Sequence, residues 1–242
     1  MTLNIFDTRD EAIAVLAKYF VQIANEAIED HNRFSVVLAG GHTPKELYQL
    51  LASTPYREKV SDWSKIYFFF GDERYVPPGD KNSNYQMARE SLFDPLGIAS
   101  SHIFPIDTSL PPEAAATAYQ EQLEDFHMVR EMHFDLILLG LGDNVHTASL
   151  YPHTPVLQDT APAVKAVQLS GDEGWRITLN APMINNARHI AFLVFGKEKA
   201  LAMQHVFSSE IDTDRYPAQL IRKKRIAWFT DTEATSLLRQ QS

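Results

Sequence analysis

Four short apolar runs, each stopping at glycine, constrain this chain more than any other feature. They are FSVVLAG (Phe34–Gly40), KIYFFFG (Lys65–Gly71), FDLILLGLG (Phe134–Gly142) and HIAFLVFG (His189–Gly196). None alternates apolar with polar residues, as a strand with one wet face would. They read as strands buried on both faces, the habit of a parallel sheet covered by helices. Helical patterns separate them. Apolar residues recur at helical spacing from Thr8 to about Asp30 (Ile13, Leu16, Ala17, Phe20, Ile23, Ala24, Ala27). Thr43 is placed to cap a helix opening with Pro44, a further helix is expected near Asn84–Leu92, and Pro112–Glu131 reads as helical. AVKAVQL, WRITLN, a helix from about Lys197 and KRIAWFTD complete the pattern. Strands alternating with helices predict a mainly parallel α/β sheet flanked by helices. Without repeats, low-complexity tracts or a Pro/Gly/Ser-rich linker, one domain over residues 1–242 is expected.

In such a sheet ligands bind beyond the carboxyl ends of the strands, where the glycines at 40, 71, 140 and 196 fall. Composition narrows what can bind there. The formal charge of −9 disfavours a nucleic-acid partner, yet clustered Arg and Lys can still hold a small anion. With no cysteine, thiolate metal sites, disulfides and a Cys nucleophile are excluded. No apolar stretch is long enough to span a membrane, and MTLNIFDTRDEA lacks the basic region and core of a signal peptide, so a cytoplasmic protein is expected.

Each loop carries two readings. AGGHTP (Ala39–Pro44) is either an anion cradle at a helix N-terminus or a tight turn; it lacks Walker spacing. In FGDERYVPPGDKNSNY, Arg74 suits phosphate oxygens, or it pairs with a neighbouring carboxylate. LGLGDNVHTASLYP (Leu139–Pro152) begins like a dinucleotide fingerprint, but Val145 stands where the third glycine belongs. His146 follows, and an imidazole that titrates near neutrality suits a general base for water. His31, His127 and His133 read as surface positions on helices or their ends. His146 and His153 lack the spacing of a helical zinc motif. Arg176 in WRITLN and Lys199 in FGKEKA add cations beside apolar strands, and no G-x-S-x-G elbow supports a serine hydrolase.

Taken in order, LAGGHTPKELY, FFFGDERYVPPGDKNSNYQMARESL, DLILLGLGDNVHTASLYP, RITLNAPMINNARHIAFLVFGKEKA and RIAWFTD resemble the 6-phosphogluconolactonases, within the family that includes glucosamine-6-phosphate deaminases and isomerases. The resemblance covers nearly the whole chain. It implies the modified Rossmann-like architecture of the NagB/RpiA type. It also implies hydrolysis of 6-phosphoglucono-δ-lactone in the oxidative pentose phosphate pathway, with no cofactor or metal and a sugar-phosphate lactone as the small-molecule partner. Carried over by position, His146 is the base that activates water and Asp72 the second catalytic position. Gly40, Gly41, Thr43, Arg74, Asn84, Arg176 and Lys199 then hold the sugar and its phosphate. Three residues depart from the pattern. His42 replaces a serine in G-G-S-T-P, and Asn144-Val145 replaces the Asp-Gly that precedes the histidine. Neutral Asn144 cannot favour a protonated imidazole by charge as an aspartate would. A β-branched residue is strained at positive φ, so a rerouted loop is one expectation. Two alternatives remain: a sugar-phosphate binder with impaired catalysis, and an amino-sugar-phosphate deaminase. The deaminase loop D-G-H-I-A-F-N-E is matched here by Asn144 and, at the final glutamate, Tyr151.

Overall fold

A computed structural model describes residues 1–127, 133–171, 174–222 and 225–238. The chain begins with β1 (Thr2–Phe6), then α1 (Arg9–His31), β2 (Phe34–Leu38), α2 (His42–Ala52), β3 (Ile66–Phe70) and β4 (Asp72–Arg74). Next come α3 (Asn84–Ala88), α4 (Asp94–Leu96), α5 (Pro112–His127), β5 (Leu136–Gly140), β6 (Val164–Gln168) and β7 (Trp175–Leu179). α6 (Ala181–Asn185), β8 (His189–Val194), α7 (Ala200–Val206) and β9 (Ile226–Asp231) close it. Every apolar run predicted as a strand forms one. The expected helix at Pro112–Glu131 is seen to His127, and its last four residues lie outside the described ones, as does Lys224 of KRIAWFTD.

Six strands form one sheet in the order β1-β9-β8-β5-β2-β3, every neighbouring pair parallel. β2 is buried at all five positions, as the unbroken apolar run requires. α1 packs on β1, β2 and β9 through the predicted face, and is held at its start by Thr8, whose side chain accepts from the Glu11 amide. From β2 the chain crosses to β3 on one side, while β5 leads to β8 on the other. The crevice between the ends of β2 and β5 is therefore the topological switch point, where a doubly wound sheet opens to a ligand. A second, antiparallel sheet of β4, β7 and β6 grows directly out of β3, with Gly71 alone between β3 and β4. Among the described residues no helix is long and apolar enough to cross a membrane.

Three local expectations are corrected. Thr43 is not the cap of α2. The helix starts at His42 with Gly41 at φ 104° as its cap, and Thr43 Oγ1 instead accepts from Arg9 Nη2 at 3.1 Å. The helix expected at Asn84–Leu92 is α-helical only to Ala88 and passes through a π turn, Arg89–Phe93, into α4. His127 is buried, not a surface residue. Its ring packs against Phe126 and Phe134, and burial first, then the charge of Arg33, pushes its pKa down to about 4.

Candidate active site

A cleft of about 340 Å³ opens at the switch point, walled by Leu38–Gly40 after β2, Gly71–Asp72 after β3 and Leu138–Gly142 of β5 and its loop. His146, Tyr151, Arg74, Asn84, Arg176 and Lys199 complete it. Seven of the nine residues expected at the site thus meet in one hollow. Gly41 and Thr43 stand outside its lining, one turning the chain into α2 and the other engaged with Arg9.

β4 and β7 supply the cationic wall. Their pairing sets Arg74 directly opposite Arg176. Like charges facing each other across a ladder are unfavourable unless an anion sits between them. Arg74 Nη1 donates to the Asn82 carbonyl at 2.7 Å, and its charge also acts on the Asp72 carboxylate. Lys199, in the turn that leads into α7, reaches the other side of the cleft and holds Asp143 Oδ1 at 2.5 Å.

Glu73 underpins this wall. It is 2% exposed, and its carboxylate accepts from the amides of Arg74 and Asn84 at 2.7 Å, the Tyr85 amide at 2.8 Å and Ser83 Oγ at 3.0 Å. One buried carboxylate thereby ties β4 to the start of α3 and sets Asn84 on the cleft. Asn84 lies so close to Gly40 that a Cβ there would come within 1.9 Å of Asn84 Oδ1. Its Nδ2 donates to the Asp72 carbonyl, and its buried Oδ1 has no partner among the described residues. Asp72 accepts from Ser149 Oγ at 2.7 Å. Burial raises its pKa, opposed by that hydrogen bond and by the charges of Arg74 and Arg176.

The histidine loop folds on itself. The Val145 amide donates to the Gly142 carbonyl at 2.9 Å and the Gly142 amide to the His146 carbonyl at 2.8 Å. Val145 takes a left-handed backbone conformation. That residue sits at φ 66° with its side chain 1% exposed, and its carbonyl accepts from the Ala218 amide at 3.0 Å. Gly142 must lack a side chain, because a Cβ would fall 2.1 Å from Nδ1 and Cε1 of His146. The imidazole stacks on Tyr151, centroids 4.0 Å apart and planes 12° from parallel. Burial, reinforced by Lys199 and only partly offset by Asp143, lowers its pKa to about 4, so it is neutral at pH 7. A neutral imidazole, two facing arginines and a lysine in one hollow suit a substrate with an anionic end and an electrophilic centre.

Comparison with known proteins identifies the family. The profile of glucosamine-6-phosphate isomerases/6-phosphogluconolactonase matches residues 7–229. The chain belongs to this family. It is 39% identical over 219 residues to the 6-phosphogluconolactonase of Synechocystis sp., covering 88% of each chain. It is 34% identical over 238 residues to that of Nostoc sp., covering 96% of each. The solved 6-phosphogluconolactonase of Trypanosoma brucei superposes with a TM-score of 0.81 at 29% identity, over 98% of both chains. A monomeric glucosamine-6-phosphate deaminase superposes equally well, at 0.82, but at 22% identity it shares the fold alone. Within this family fold, sequence reasoning missed Ser149, Glu73 and the Asp143–Lys199 pair. Only Glu73 left a signal, a third charge in the G-D-E-R run that faces the interior.

Proposed function

We propose that this chain hydrolyses 6-phosphoglucono-δ-lactone to 6-phosphogluconate, with His146 as the base for water. The single observation that carries the base assignment is the placing of the His146 imidazole in the same cleft as Arg74, Arg176 and Lys199, where burial lowers its pKa to about 4. The three cations grip the phosphate dianion and so fix the lactone carbonyl, which converts a collision into a positioned attack. Nε2 takes a proton from water as the water oxygen bonds to C1 and the carbonyl oxygen becomes an oxyanion. On collapse the C1–ring-oxygen bond breaks, and the imidazolium returns the proton to that oxygen. No covalent enzyme intermediate is needed, because the lactone carbonyl is itself a good electrophile. Asp72, beside Asn84 and below the arginines, is read as a partner for sugar hydroxyls and a counter-charge to Arg74 and Arg176. Gly40 lets Asn84 approach, while Gly41 turns the chain into α2 and Thr43 engages Arg9 beside the cleft.

The same reading takes residues 1–242 as one lactonase domain, supported by a family match from residue 7 to 229, and the cytoplasm as its compartment. An amino-sugar-phosphate deaminase is disfavoured, since Tyr151 puts a ring against His146 at the place where a carboxylate would be needed. The test is hydrolysis of freshly prepared lactone with the spontaneous rate subtracted. His146→Ala is expected to lose about 10²–10⁴-fold in kcat with little change in KM. An unchanged rate refutes the base assignment. A wild type no faster than the blank, yet still binding 6-phosphogluconate, leaves a sugar-phosphate binder instead.

A further inference from the structure

Asn144 stands immediately beside the imidazole, and its contacts decide which ring nitrogen carries the proton. Asn144 Oδ1 lies 3.3 Å from the backbone nitrogen of His146 and 2.5 Å from Nδ1. A backbone N–H can only donate, so the atom it meets is the amide oxygen, an acceptor. The same oxygen facing Nδ1 requires that Nδ1 bear the proton. The other contacts of the ring agree. Gly142 closes off the Nδ1–Cε1 edge, Tyr151 covers one face, and Nε2 has no protein hydrogen-bond partner among the described residues.

We infer that Asn144 is a positioning residue: it locks His146 in the Nδ1–H tautomer and presents the Nε2 lone pair as the basic site. The inference rests on the reading of His146 as the base. A carboxylate in this place would orient the ring equally well but would also stabilise the imidazolium. The neutral amide orients it without that charge, which keeps the imidazole unprotonated. The charged groups around the ring push the same way: Lys199, Arg176 and Arg74 disfavour the cation, against Asp143 alone.

Nitrogen-15 NMR of the histidine rings in the intact protein at pH 7 reads the tautomer directly, without substrate. A protonated Nδ1 and a pyridine-type Nε2 are expected at His146. In Asn144→Ala, at an exposed loop position, the ring should shift toward the Nε2–H form that imidazole prefers in water. Its kcat should fall by about tenfold or more at unchanged KM. Asn144→Asp should keep the wild-type tautomer and move the acid limb of kcat/KM upward by about one pH unit or more. A wild type that carries the proton on Nε2 overturns the inference, as does an Asn144→Ala protein with the same tautomer and the same kcat. The Nδ1–H tautomer in a protein inactive on the lactone defeats the lactonase reading and leaves the positioning role of Asn144 standing.

Discussion

At Val145 two effects of similar size oppose each other. A β-branched residue held at φ 66° costs about 1–3 kcal/mol in backbone strain, while burying its side chain contributes about 1.5–3 kcal/mol. Val145→Gly should therefore change the melting temperature far less than Val36→Gly, where an equally buried side chain is lost with no strain to relieve. Equal losses at the two positions, measured by thermal unfolding, would show that Val145 is unstrained. His127 works through protons. Its pKa is lowered in the folded protein to about 4, from an ordinary 6.5, so the unfolded chain binds the extra proton between these values. Stability is full above about pH 6.5 and is lost as pH falls toward 4. His127→Phe should flatten that part of the stability–pH curve, read from melting temperatures at pH 4.5 and 7.5. An unaltered slope would assign the effect to other groups.

Among the elements, the buried strands were legible because a strand covered on both faces writes itself as an unbroken apolar run. β1 was not, because it is an edge strand with no fully buried residue and its TLNIF carries no such signal. β4 is three residues long and is made by pairing with β7, a contact about a hundred residues away that no local pattern records. The π turn after Ala88 was equally invisible, since one extra residue per turn leaves the apolar spacing nearly intact. At the site, the loop glycines and His146 showed in the sequence because strand ends announce themselves. The bonds of Glu73 and Ser149 did not, since they are made across elements. Glu73→Gln tests how much the β4–α3 junction depends on that carboxylate. An amide offers one acceptor oxygen in place of two and turns its own donors on backbone N–H groups. A loss of about 2–4 kcal/mol in denaturant unfolding is expected, with KM rising more than kcat falls. Near-normal stability would mean that the four hydrogen bonds are replaceable by water.

For the molecule as a whole, the proposed activity sets a formal charge of −9 against a dianionic substrate. On that reading the charge is met locally, by three cations brought from β4, β7 and the turn before α7 to one cleft. Long-range repulsion and short-range grip respond differently to salt, because only the first extends beyond a Debye length of ~8 Å. Arg176→Ala is expected to raise KM about tenfold or more, as the loss of a charged hydrogen bond costs about 1.5–3 kcal/mol. An unchanged KM would place the phosphate elsewhere. The two halves of the cleft also come from separate scaffolds. The arginines sit on the small antiparallel sheet, whereas the imidazole rides on a five-residue turn closed by its own two hydrogen bonds. Yet the turn is not independent of the grip: Asp143 within it holds Lys199, so a change in Gly142–His146 reaches one of the three cations, while the two arginines keep their place on a sheet the turn does not build.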